Sequence, residues 1–186
     1  MLNSLARPAT ELLAQYAQYH RDRRNIATHF VGIPLIVFGL SVLLARPEWT
    51  TAGQALTPIA IVWAITSLWY VTRGHLVLGL ATSIMNAVLM VAAFNLSHGA
   101  GIGTWLAAGI GAFVVGWVFQ FVGHYYEGRK PAFVDDLVGL LVGPMFVVAE
   151  GLFALGWGKP LRGEIERQVG PTYLRNLHPG PGASTH

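Results

Sequence analysis

The sequence has 186 residues, enough for one compact domain, with 53% hydrophobic and only 11% charged side chains. Soluble domains carry about 25% charged residues, so this chain has too few to coat a water-facing globule and falls in the membrane class. The net charge of +3 comes with no basic run interleaved with aromatics, which argues against a nucleic-acid partner. With no cysteine, disulfides, thiolate metal sites and a cysteine nucleophile are excluded.

The stretch LARPATELLAQYAQYHRDRRN is charged throughout, unlike a cleavable leader. Leu12, Leu13, Tyr16 and Tyr19 or His20 recur at helical spacing and predict a short amphipathic helix over residues 9–20. Arg21 to Arg24 form a charged break, where Asp22 or Asn25 can cap the next helix. Five apolar runs follow, at about 27–45, 56–72, 76–97, 103–123 and 137–157. Several approach the roughly 20 residues that span a bilayer core; the second is the shortest. The expected fold is therefore all-α: a polytopic membrane helical bundle of four to five spanning or re-entrant helices plus the N-terminal amphipathic helix. Residues 1–160 make one integral-membrane domain, and 161–186 make a polar tail, partly disordered, with a surface helix expected over 160–177.

Ala108, Ala112 and Gly116 form a small-residue ridge on the fourth run, and small residues let membrane helices approach closely. Its four-residue steps lead on to Gln120 and His124. Arg21, Arg23 and Arg24 precede the first span, and Arg129 and Lys130 follow the fourth. An even number of crossings puts both places on one side, and the positive-inside rule makes that side cytoplasmic. Lys159 and Arg162 conflict with this if the fifth run spans fully. Pro144 and Glu150 within it suggest a bent or re-entrant segment.

Topology sorts the histidines. His20, His29, His75 and His124 fall on one side, whereas a continuous helix from His98 to His124 separates those two by about 39 Å. His20 and His29 converge only if the chain turns between them, and RDRRN is such a turn. Asn25 shares a face with His29, and Gln120 with His124, at i, i+4. Imidazole suits iron, zinc, copper and nickel, and a ligating histidine has a partner for its other ring nitrogen; Asn25, Gln120, Glu127 and Asp135 are the candidates. The reading from residues alone is a metal site made by His20, His29 and His124 where a greasy helix meets a polar turn. Arg129 is placed to clamp a carboxylate, and Glu150 is a buried polar group of either packing or functional use.

Three blocks, YHRDRRNIATHFVGIPL, GWVFQFVGHYYEGRKPAFVDDL and GPMFVVAEGLF, resemble the fungal-type 2-hydroxy fatty acid dioxygenase family, a membrane family, over roughly residues 16–157. Asp136 departs from the asparagine of that pattern. The resemblance implies an Fe(II)-dependent α-oxidation of a 2-hydroxy fatty acid by O₂, giving the acid one carbon shorter, CO₂ and water, with His20, His29 and His124 essential. A 2-hydroxy acid offers its hydroxyl and one carboxylate oxygen to such a centre, with its alkyl tail among the helices. Two other classes compete: a small transporter or channel with Glu150, Asn86 and Gln120 along a path, and a zinc-dependent lipid hydrolase.

Overall fold

The computed structural model of the chain describes residues 5–51, 54–131, 134 and 136–177; Asp135 and the tail HPGPGASTH, expected to be disordered, lie outside them. Helix α1 (Ala9–Ala17) buries Leu12, Leu13 and Tyr16, the face its spacing predicted. Helix α2 (Arg23–Ala45) starts at Asp22, whose side chain accepts the Arg24 N–H and so satisfies one of the free donors of the first turn. A hairpin of two three-residue strands, β1 (Trp49–Thr51) and β2 (Gln54–Leu56), leads to α3 (Pro58–Val71), which Thr57 caps and Pro58 opens. Helices α4 (Leu76–Gly99) and α5 (Ile102–Glu127) follow, and Gly128 ends α5 in the left-handed conformation, φ 70°. Helices α6 (Gly139–Ala154) and α7 (Lys159–Val169) complete the described elements, bent by 116° against each other.

Helices α2, α4 and α5 are long and apolar enough to cross a membrane. Their outer faces carry large apolar side chains that no protein covers: Val88 and Val118 are more than half exposed, as is Ile65 on α3. Such a surface suits a lipid surrounding. Helix α3, with fourteen residues, measures about 21 Å, shorter than a bilayer core of about 30 Å. It still carries the chain back: the turn after it meets α1, where the Ala9 N–H donates to Arg73 O and Thr10 Oγ1 meets His75 Nε2 at 3.1 Å.

Helices α2 and α5 are antiparallel and touch backbone to backbone. A Cβ on Gly39 would lie 2.6 Å from Gly109 O, one on Gly116 2.7 Å from Gly32 O, and one on Gly123 2.4 Å from Asn25 Oδ1. The contact ridge is thus Gly109, Gly116 and Gly123, spaced by seven. It is not the four-step ridge through Ala108 and Ala112, which are only half-buried. Four-residue steps drift around a helix of 3.6 residues per turn, whereas a seven-residue step returns to within about 20°. A long straight seam therefore needs the seven-residue spacing.

Helix α6 packs at the α1 end of the bundle. Near its start the Leu141 carbonyl accepts the Tyr70 hydroxyl, and further along Glu150 lies 3.7 Å from Arg21; both partners sit at the α1 end of the bundle. Leu161 and Ile165 of α7 join Leu12, Leu13, Val142 and Phe146 in one apolar cluster. Lys159 and Arg162 are thereby brought to the α1 end, which removes the conflict in the positive-charge pattern. Among the described residues, Arg46, at the hairpin end over the Trp105 ring, is the one arginine or lysine placed at the far end of the bundle.

Candidate metal centre

His20 lies in the turn between α1 and α2, His29 one and a half turns into α2, and His124 in the last turn of α5. All three are buried. Their ring centroids are 4.4, 4.9 and 5.2 Å apart, and one nitrogen of each lies within 4.8 Å of the others.

Hydrogen bonding fixes two of the tautomers. His20 Nδ1 donates to Tyr16 O at 2.7 Å, and His29 Nδ1 donates to Asn25 O at 2.9 Å. Carbonyls only accept, so both protons sit on Nδ1 and both Nε2 atoms present lone pairs. Those Nε2 atoms face each other at 3.0 Å. A proton between them would bridge the gap, but burial first, then the neighbouring His29 and His124 rings, hold the His20 imidazole well below its usual range. Two neutral donors 3.0 Å apart, with the His124 ring alongside, form a group that could hold a metal ion. Donors about 2.1 Å from a shared ion at roughly a right angle stand about 3.0 Å apart. His124 Nδ1 is itself buried with no partner.

The supports come from residues far apart in sequence. The Glu127 carboxylate accepts the main-chain N–H of Arg21 and Asp22 and the Asn25 amide, at 2.8–3.1 Å. It holds the turn that carries His20, and its hydrogen bonds among the described residues go to none of the histidine rings. Asn25 also donates to Tyr19 O, and it is its carbonyl, not its side chain, that orients His29. Gln120 is buried one turn below His124, its amide nitrogen unpartnered. Arg129 is exposed and donates to Gln18 O. Glu150, a candidate member of a transport path, sits apart from Asn86 and Gln120 as the ion-pair partner of Arg21.

Two residues were not singled out from sequence. Tyr16 stacks on His20, with centroids 4.1 Å apart, and lines an apolar pocket with Gln120 and His124. Its i, i+4 spacing to His20 was the available signal. Arg21 reads as a solvated charge but is buried, donating to Ala17 O, His20 O and Gly170 O.

Fold and site together define a helical membrane protein with a buried three-histidine cluster at one end of the bundle. The chain matches, over residues 6–155, the family described as Mpo1-like, 2-hydroxy-palmitic acid dioxygenase Mpo1-like, and belongs to that family. It is 31% identical over 159 residues to the 2-hydroxy-palmitic acid dioxygenase MPO1 of Saccharomyces cerevisiae, covering 84% of this chain and 87% of the relative. No solved structure matches.

Proposed function

We propose that this chain is a non-haem iron dioxygenase that shortens 2-hydroxy fatty acids by one carbon. The observation that carries the reading is the pair of fixed Nε2 lone pairs of His20 and His29 meeting beside His124, in a chain whose yeast relative is named for a 2-hydroxy-palmitic acid dioxygenase. The reaction balances with one O₂: the 2-hydroxy acid loses its carboxyl carbon as CO₂, C2 becomes the new carboxyl carbon, and water is released. The substrate supplies all four electrons, so no nicotinamide, flavin or 2-oxoglutarate is needed.

His20, His29 and His124 hold the iron; when bound, ferrous iron supplies the one-electron chemistry by which O₂ reacts with a closed-shell hydroxy acid. Asn25 and Glu127 fix the two histidine-bearing segments against each other. Gln120 and Tyr16 are polar members of the pocket wall next to His124, where they hold the substrate head by hydrogen bonds. Arg129, exposed while one arm is held on Gln18, draws the carboxylate in from the aqueous side. Asp135 is kept as a candidate support of the histidines, being so close in sequence to His124. The tail points away from the charged turn, among the helices. Arginines and lysines gather at the histidine end, Arg46 excepted, and the positive-inside rule supports a cytoplasmic face for the site.

Purified protein loaded with Fe(II) in air, given 2-hydroxyhexadecanoic acid labelled with ¹³C at C1, is expected to release labelled CO₂ and the fifteen-carbon acid. Label retained in the fatty product would overturn the reading, as would zinc sustaining the same turnover.

A further inference from the structure

Two apolar cavities on the membrane-inward side of the histidines share a wall. The first lies against His124 and Gln120 and extends to Ile33, Ile36 and Gly143. The second, about 220 Å³, lies between α2, α3, α4 and α6, with Leu44, Ile59 and Met90 in its walls. Val37, Leu140 and Pro144 line both. The second cavity's hydroxyls are mostly turned away from it by their own bonds: Ser41 donates to Val37 O, Thr66 to Val62 O and Tyr70 to Leu141 O. Asn86, whose Oδ1 is unpartnered, is the polar exception in that wall.

Along α2 the two cavities follow one stripe. His29, Ile33, Ile36 or Val37, Leu40 or Ser41, and Leu44 recur at three- and four-residue steps. From His29 to Leu44 the helix rises about 22 Å. A sixteen-carbon chain, fully extended with C–C bonds of about 1.5 Å, spans about 19 Å. A larger groove between α3 and α4, about 750 Å³, shares no lining residue with the histidine pocket and meets the second cavity at Trp63 alone.

We propose that the two cavities form one acyl-chain path: the alkyl tail of a long-chain 2-hydroxy acid runs from the histidine cluster between Val37 and Leu140 into the chamber at Leu44 and Met90, and that chamber sets chain-length preference. This rests on the reading of the site given above. Hydrocarbon already in a bilayer gains little by moving into an equally apolar protein cavity. The path therefore selects by length and fit, and a side chain that fills the far chamber acts on long tails while sparing short ones.

The first test needs neither iron nor turnover. Wild-type protein in nanodiscs is photolabelled with 2-hydroxyhexadecanoic acid carrying a diazirine at its last carbon, and in parallel with an analogue carrying it near C6. The terminal probe is expected on Leu44, Ile59 or Met90, and the C6 probe on Ile36, Val37 or Leu140. Terminal labelling confined to lipid-facing residues such as Val88 and Val118 overturns the path. In the second test, Met90→Trp is expected to lower the ratio of kcat/KM for the sixteen-carbon over the eight-carbon acid at least tenfold. An unaltered ratio, with both substrates affected equally or not at all, overturns it too. Labelling in the chamber without any CO₂ release would sink the proposed reaction and leave the lipid path standing.

Discussion

Glu127, the last residue of α5, accepts the main-chain N–H of Asp22 at 2.8 Å across 105 positions of sequence. The same carboxylate takes the Arg21 N–H and the Asn25 amide. His20 sits on a turn with no regular structure of its own, and this clasp is what fixes it against His124. Removing the carboxylate leaves buried donors unpaired, at about 1–3 kcal/mol each. Glu127→Ala is therefore expected to lose roughly 3 kcal/mol of stability and more than half of the bound metal. Metal analysis with a thermal melt checks this; full metal occupancy in Glu127→Ala would show that the turn holds itself.

The glycine seam makes a separate prediction. A Cβ at Gly116 meets main chain, Gly32 O at 2.7 Å and the Ile36 nitrogen at 2.9 Å, and main chain yields only by moving the helices apart. Gly116→Val is expected to separate α2 from α5 and so to reduce both stability and metal content. Gly111 lies on the same helix with nothing within 4 Å of an added Cβ. Gly111→Ala should change stability by no more than about 1 kcal/mol. If the two variants load metal equally, the seam does not position the histidines.

The histidines themselves divide cleanly. His20→Ala, His29→Ala and His124→Ala are each expected to lose most bound iron while still inserting into membranes. His98 lies at the hairpin end of the bundle, paired with Glu48, and His98→Ala should load iron like the parent. Iron retained by His124→Ala, measured in anaerobically reconstituted protein, would remove that residue from the ligand set.

How much of this could be read in advance follows from which interactions are local. The spanning helices were legible because lipid imposes the same requirement on every residue of a run, and composition reports it directly. The three histidines were legible as a group because the number of crossings places them at one end. The roles of their neighbours were less so. Asn25 shares a helix face with His29 by its spacing, but its hydrogen bond to that ring runs through its carbonyl, which every residue has and no sequence pattern marks. Arg21 carries the formula of a surface charge, and only the tertiary meeting of α1, α6 and α7 buries it against Glu150. The seam between α2 and α5 was sought at four-residue steps because one helix suggests them; the seven-residue step belongs to a pair of helices, and one strand of sequence shows only half of it.

The last prediction concerns electrons. Shortening a 2-hydroxy acid to the next lower acid and CO₂ releases four electrons, which one O₂ accepts in full. The same shortening of an unsubstituted fatty acid releases six, so one O₂ does not suffice and a second oxidising event is needed. A 3-hydroxy acid carries its oxygen on the wrong carbon: cleavage between C1 and C2 would leave C2 to be oxidised with no hydroxyl to start from. The proposed chemistry therefore requires the 2-hydroxyl by redox balance as well as by recognition. Purified iron-loaded protein is expected to consume one O₂ for each CO₂ released from a 2-hydroxy acid, with no reductant added. It should leave hexadecanoic and 3-hydroxyhexadecanoic acids unconsumed. An oxygen electrode coupled to product analysis reads both quantities. A ratio of two O₂ per CO₂, or turnover that stops without a stoichiometric reductant, would identify a hydroxylating chemistry in place of this one.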